Sequence, residues 1–258
     1  MARRSCSLCA LVLFLPLAHA AAAKGVSEYA QDGKDYVLAP LHWTPEQWQW
    51  AAGATASVAA AYAFDDRVRQ HFADAQTSPH GDAHNLRDAA PVIALTLGTF
   101  AVGALRHDEN VHRTGMDMLE AVGLGALSSF ALKMAAGRVR PDATSDHAEW
   151  GRGGDSFPSG HVTAAFAAAE VFAQSRPEGE WRWRFLAYSL AAATAYGRLD
   201  SNMHWCSDVV AGAALGIATG RFVAGRDADR APSRVSFWVQ PTKRGALLSF
   251  SVDPKLLE

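Results

Sequence analysis

The sequence predicts an all-α chain, a six-helix bundle followed by a short β-hairpin. Three observations carry that expectation. Six alanine- and leucine-rich stretches of helical length alternate with polar segments that hold Gly and Pro. Hydrophobic residues make up 49% of the 258 residues and charged residues 19%, the balance of a globular chain with its own core rather than of a stack of membrane spans. The last apolar stretches, 235–239 and 247–252, are rich in β-branched and aromatic residues, with Lys243-Arg244-Gly245 between them, which predicts a hairpin over 234–253.

In chain order, the first 23 residues read as a leader. Arg3 and Arg4 form a positive start, residues 9–17 an apolar run, and Ala18-His19-Ala20 a small-x-small cleavage pattern, with cleavage expected between Ala20 and Ala23. This predicts export, into a bacterial periplasm, as a soluble or membrane-associated protein. Cys6 and Cys9 leave with the leader, so Cys206 remains alone and no intramolecular disulfide forms. Residues 24–41 are polar and mixed, and read as an extended or loosely packed lead-in.

Thr44-Pro45-Glu46-Gln47 is a helix start: Thr44 caps, Pro45 suits the first position and Gln47 closes a capping box. That helix runs to about Phe64, where Asp65-Asp66 reads as its solvated end. A loop over 77–82 leads to a second apolar run, 89–105. The third helix spans about 114–136 and stops near Gly137. Three further helices cover 162–172, 185–196 and 209–223. The longest uncharged runs are 17 residues (89–105) and 15 residues (50–64), short of the roughly 20 that a span needs. Trp43, Trp48 and Trp50 at one helix start leave peripheral membrane contact open.

Three polar clusters sit at the edges of apolar helices. In Lys133-Met-Ala-Ala-Gly-Arg-Val-Arg140-Pro141 the chain turns after Lys133, so two cations can converge on a phosphate dianion. The same segment also suits plain favourable charge at a helix C-terminus. In Phe157-Pro158-Ser159-Gly160-His161, Ser159 is placed to cap a helix whose exposed amides, Gly160 included, make an anion site. His161 at its edge can protonate a departing oxygen, or be a surface histidine beside an ordinary cap. In Arg198-Leu-Asp-Ser-Asn-Met-His204-Trp-Cys-Ser-Asp208, the spacing of four puts His204 and Asp208 on one helical face, with Arg198 in the loop before it. A carboxylate held against an imidazole fixes the tautomer and exposes the other nitrogen as a nucleophile, although a surface His–Asp pair has the same spacing. Together the clusters supply what metal-free phosphoryl transfer to an imidazole requires.

These motifs, Lys-x6-Arg-Pro, Pro-Ser-Gly-His and Arg-x5-His-x3-Asp, resemble the type 2 phosphatidic acid phosphatase (PAP2) superfamily, which includes bacterial acid phosphatases and vanadium-dependent haloperoxidases. The resemblance implies a helical domain over 42–226 with the motifs gathered at one end of the bundle. It implies that Lys133, Arg140 and Arg198 bind phosphate with help from Ser159 and the Gly160 amide. By the same resemblance His204 attacks phosphorus, Asp208 orients it and His161 protonates the leaving group, with no metal and no cofactor. One departure is visible: the family usually has Ser before the third-motif Arg, and here the residue is Gly197.

The expected activity is hydrolysis of a phosphate monoester or diphosphate through a phosphohistidine. Ser156-Phe157 before the second motif is similar to the lipid-phosphate branch, with phosphatidic acid, phosphatidylglycerol phosphate, an isoprenyl diphosphate or a lipid A phosphate as candidates. The lack of clear spans points the other way, to small esters or to lipids reached at a membrane surface. A vanadate-dependent haloperoxidase is the alternative enzyme, against which the short chain speaks. A non-catalytic envelope binding module is the other alternative, against which the complete motif set speaks. A net charge of −2 offers nothing to nucleic acid. The spacings of His80, His84, His107 and His112 fit no metal pattern. Trp205 reads as packing, and oligomeric state is left open.

Overall fold

The computed structural model describes residues 26–75, 82–177, 179–228, 235–242 and 245–252. The leader lies outside them. The chain divides into a helical unit, Ala30–Asp229, and a second unit that holds both chain ends.

Eight α-helices stand among the described residues, not six: α1 (Val26–Leu38), α2 (Pro45–Tyr62), α3 (Asp65–Ala75), α4 (Asp82–Arg106), α5 (Glu109–Ala136), α6 (Gly160–Gln174), α7 (Trp181–Asp200) and α8 (Cys206–Ala228). The two extra helices replace segments read as irregular. Residues 24–41 are not an extended lead-in: α1 is followed by a 3₁₀ turn, Ala39–His42. Polar composition hid α1, which is held in place by tertiary contacts. Its Tyr36 hydroxyl lies 2.7 Å from Thr219 Oγ1 on α8 and accepts from Ser128 Oγ on α5 at 3.1 Å. Asp65-Asp66 does not end a helix on a solvated face but starts α3, where acidic residues favour the positive helix end.

Local signals held elsewhere. Gln47 N donates to Thr44 Oγ1 at 3.3 Å and Thr44 N donates to Gln47 Oε1 at 2.8 Å, both arms of the expected capping box. Asp108 caps α5 through Asn110 N and Val111 N, so that helix begins earlier than its apolar run. Gly137 ends it in the left-handed region, at φ 54°, where a side chain would be strained.

The inner helix of the bundle is α6, of which ten residues are buried. Its closest partner is α8, and glycines set the separation. A Cβ at Gly212 would lie 2.6 Å from Ser159 O, one at Gly216 2.4 Å from Thr163 O, and one at Gly220 2.7 Å from Ala167 O. Repeating every fourth residue, these three present a bare stripe against the α6 backbone, so the axes come closer than side chains would allow. Ser129 Oγ on α5 donates to Thr163 Oγ1 at 3.0 Å and ties a third helix to the pair. Away from the motif residues, Glu170 is buried yet paired, accepting from Gln174 Nε2 at 3.0 Å, Arg221 Nε at 3.1 Å and the Tyr188 hydroxyl.

The expectation of a bundle sealed in its own core needs correcting. Among the described residues three helices are long and apolar enough to cross a membrane: Arg87–Arg106, Glu109–Ala136 and Cys206–Arg226, of whose apolar windows only 28%, 28% and 50% are buried. Counting uncharged runs missed them because an occasional charge inside a long helix breaks a run without removing its apolar character. The second unit contains β1 (Val235–Thr242) and β2 (Gly245–Val252), antiparallel with Val235 opposite Val252 and Thr242 opposite Gly245.

A methyl group at Gly216 must force α6 and α8 apart. Gly216→Ala is expected to cost about 1–3 kcal/mol of stability, whereas Gly225→Ala, which meets nothing within 4 Å, is expected to stay within about 0.5 kcal/mol. Thermal unfolding of the purified variants in detergent measures both.

Candidate active site

The three motif segments meet where α5 ends and α6 and α8 begin. Gly137 turns the chain out of α5, and the following loop folds back over that end, with Gly154 N donating to Gly137 O at 3.1 Å and Ser156 N to Arg138 O at 3.0 Å. Ser159 N donates to Asp208 O at 3.0 Å and joins the first turns of α6 and α8.

Lys133 and Arg140 converge on Asp155. Lys133 Nζ donates to the Asp155 carbonyl and, at 3.4 Å, to Ser156 O. Arg140 grips the Asp155 carboxylate with Nε at 2.7 Å and Nη2 at 2.8 Å, the two-pronged fork that arginine offers to any oxyanion. The pull of burial on Asp155 is outweighed by the Arg140 hydrogen bonds and by the charges of Arg140 and Lys133, which hold its carboxyl below the usual range. Lys133 also reaches the start of α6: a Cβ at Gly160 would sit 3.9 Å from Lys133 Cε.

Three placements differ from the sequence expectation. Ser159 occupies the cap position of α6 but its side chain makes no cap bond. Its buried Oγ has no hydrogen-bond partner among the described residues. Arg198 is not in a loop: it lies in the last turn of α7, 1% exposed, with Nη1 donating to Asp88 Oδ2 at 3.2 Å. His204 and Asp208 do not share a helical face, because α8 starts only at Cys206. His204 precedes that helix, and its Nδ1 lies 3.6 Å from Asp208 Oδ2, longer than a hydrogen bond.

What fixes Asp208 is a set of partners the sequence did not reveal. Its Oδ1 accepts from Arg138 Nη1 at 2.6 Å, and its Oδ2 from Trp205 N at 3.0 Å and from Ser156 Oγ. Arg138 reaches on to Asp65 Oδ2 at 2.6 Å, and Asp65 in turn accepts from Ser207 N at 2.8 Å and Ser207 Oγ at 2.7 Å. The side chains of Asp65, Arg138 and Asp208 are 0% exposed. The Arg138 guanidinium is also packed against the rings of Trp150 and Trp205, 4.5 and 5.3 Å from their centroids. Trp205 is buried, as expected, and donates Nε1–H to Val139 O at 2.9 Å. Arg138 was in view inside the first motif, but no local signal distinguished it from a surface arginine.

Both histidines are held neutral. Burial first, then the charges of Lys133, Arg140, Arg198 and His161, push His204 well below its ordinary value. Burial first, then Arg198, Arg140 and Lys133, push His161 down to about 3. Two buried imidazoles thus lie within the electrostatic reach of the same three cations, Lys133, Arg140 and Arg198.

Comparison with known proteins comes to the same segments. Residues 114–230 match the family model of the PAP2 superfamily. A lipid A 1-phosphatase of Porphyromonas gingivalis is 30% identical over 158 residues, 60% of this chain and 33% of that protein. A PA-phosphatase related-family protein of Dictyostelium discoideum is 28% identical over 138 residues, 46% of this chain and 50% of that protein. The chain thus spans a third to a half of these curated relatives. Among solved structures, a transmembrane PAP2 type phosphatidylglycerolphosphate phosphatase from Bacillus subtilis aligns over 69% of this chain and 98% of its own, at 22% identity and a TM-score of 0.38.

Two expectations follow. Arg138→Met strands two buried carboxylates and is expected to cost about 3–5 kcal/mol. Asp66→Asn, which removes the partner of His147 at 2.8 Å from a half-exposed site, is expected to cost under about 1 kcal/mol. Thermal unfolding compares the two. His161, near 6.5 in the unfolded chain and about 3 when folded, binds its proton only in the unfolded state between those values, so stability falls as pH drops from about 6.5 towards 3. His161→Gln is expected to lose less melting temperature than the wild type between pH 7 and pH 4.5.

Proposed function

From the match of residues 114–230 to the PAP2 superfamily model, we propose that this chain is a metal-independent phosphatase acting on a phosphate monoester or diphosphate carried by a lipid. The observation that carries the reading is the buried, neutral His204 placed among Lys133, Arg140 and Arg198 and backed by the fixed carboxylate of Asp208.

The three cations bind the non-bridging phosphate oxygens and stabilise the charge that spreads over them as the bond to the leaving group loosens. The Ser159 hydroxyl and the amide at the start of α6 add donors from below. His204 Nε2, unprotonated, attacks phosphorus, with Nδ1–H directed at Asp208 so that the positive charge formed on the ring is compensated. The phosphorus–oxygen bond to the leaving group breaks, and His161 delivers a proton to that oxygen. In the free site burial, and then the charges of Arg198, Arg140 and Lys133, hold His161 neutral. A bound phosphate dianion offsets them and raises its proton affinity. A water molecule then attacks the phosphohistidine, His161 takes up its proton, the P–N bond breaks and phosphate leaves.

A lipid substrate is favoured by the apolar face beside the pocket. Leu127, Phe130 and Met134, 58%, 63% and 73% exposed, run along α5 to the turn that carries Lys133. Such a stripe, on a helix long enough to cross a membrane, stabilises contact with acyl chains and would bring a headgroup to the three cations from the side. The leader expected from the sequence completes the reading as an exported envelope enzyme with its pocket at the membrane surface.

The test is phosphate release by the purified protein from phosphatidic acid, phosphatidylglycerol phosphate, isoprenyl diphosphate and lipid A phosphate in excess EDTA. Release is expected to persist under chelation and to drop at least about 10³-fold in His204→Ala. Activity abolished by EDTA, or retained by the alanine variant, overturns the mechanism.

A further inference from the structure

Asp88 lies on α4, far in sequence from every motif, yet its carboxylate is 2% exposed and sits against Arg198. Oδ2 accepts from Arg198 Nη1 at 3.2 Å and from Ser201 Oγ at 3.4 Å, and Oδ1 accepts from Arg87 Nε at 3.2 Å. The carboxylate fits only because residue 197 has no side chain. A Cβ on Gly197 would lie 2.6 Å from Asp88 Oδ1 and 2.9 Å from its Cγ, closer than real Cβ atoms approach anything. Gly197 is helical and its φ is not in the left-handed region, so backbone conformation does not call for glycine here. The neighbouring carboxylate does.

We propose that Asp88 is the positioning residue for the phosphate-binding guanidinium of Arg198, and that Gly197 is the space that admits it. The inference rests on the phosphatase reading for Arg198's role. A buried guanidinium needs a counter-charge, and an arginine meant to meet phosphate needs one that holds its plane without filling the pocket. Asp88 meets both needs because it comes from a separate helix, behind Arg198. Lys133 is held differently, by the Asp155 and Ser156 carbonyls, and Arg140 by a carboxylate at the pocket itself. A cavity of about 230 Å³ adjoins Asp88, bordered by Arg87, Tyr196, Asp200 and Gly197 itself. A Cβ at position 197 would therefore not jam the helices. It would swing the carboxylate into that cavity, away from Arg198, and leave a folded protein with an unpositioned arginine.

The experiment compares wild type, Gly197→Ala, Asp88→Asn and the double variant in detergent. It reads the Kd for inorganic phosphate by calorimetry, kcat and KM on phosphatidic acid, and the melting midpoint. Each single variant is expected to weaken phosphate binding and raise KM about tenfold. The double variant is expected to be no worse than the weaker single, since both changes remove one interaction. Phosphate affinity unchanged in the single variants, effects that multiply in the double, or a lowered melting midpoint with phosphate affinity intact would overturn the proposal. A wild type that binds phosphate but turns over nothing sinks the phosphatase reading, and the Kd comparison still decides the role of Asp88. A wild type that binds no phosphate overturns both.

Discussion

The close approach of α6 and α8 is the constraint on which the site depends. Gly212, Gly216 and Gly220 remove every side chain from the contact face, so the two helices run with carbonyl oxygens of one near Cα atoms of the other. Their first turns are then close enough for Ser159 N to bond Asp208 O. One joint thereby fixes the position of Ser159 and His161 relative to His204 and Asp208. Phosphoryl transfer is sensitive to misplacement of this kind, because its catalysis consists of positioning and charge stabilisation.

Around that joint the protein solves an electrostatic problem. A ring of cations attracts phosphate but also raises the cost of folding through mutual repulsion and desolvation. Each cation is given oxygen partners: Lys133 the carbonyls of Asp155 and Ser156, Arg140 the Asp155 carboxylate, and Arg198 the carboxylate of Asp88 on another helix. Arg138 does not join the ring. It lies behind, between Asp65 and Asp208, and holds the carboxylate that faces His204 in place, partly offsetting the burial that pushes that carboxyl up. Burial, reinforced by the same field, lowers the proton affinity of both imidazoles.

The molecule's two surfaces complement this chemistry. At one end of the bundle lie the charged groups of the three motif segments, of which Asp65, Arg138, Arg198 and Asp208 are paired and buried. Along its sides α4 and α5 expose most of their apolar windows, a surface stabilised by hydrocarbon rather than by water. Only there does the ratio of 49% hydrophobic to 19% charged residues mislead, since an average over the chain does not report that its charges gather at helix ends.

The sequence alone supplied the candidate residues and their order. Lys133, Arg140, Ser159, His161, Arg198, His204 and Asp208 stand out by residue type and by the resemblance of their motifs, because nucleophile, proton carrier and cation are properties of single side chains. Capping and termination were legible too, at Thr44 and at Gly137, because a cap is settled within four residues. Tertiary structure alone decided what each charge leans on. Asp65 bonds Ser207 across 142 positions, and Asp88 bonds Arg198 across 110. Neither pairing leaves a local pattern, since a buried ion's partner is selected by distance in space and by the cost of leaving it without one. Helices α1 and α3 escaped notice for the same reason: their apolar and charged residues are meaningful only against Thr219, Ser128 and Arg138. Even Gly197, which in the sequence was a missing hydroxyl, becomes in the fold the room that Asp88 requires.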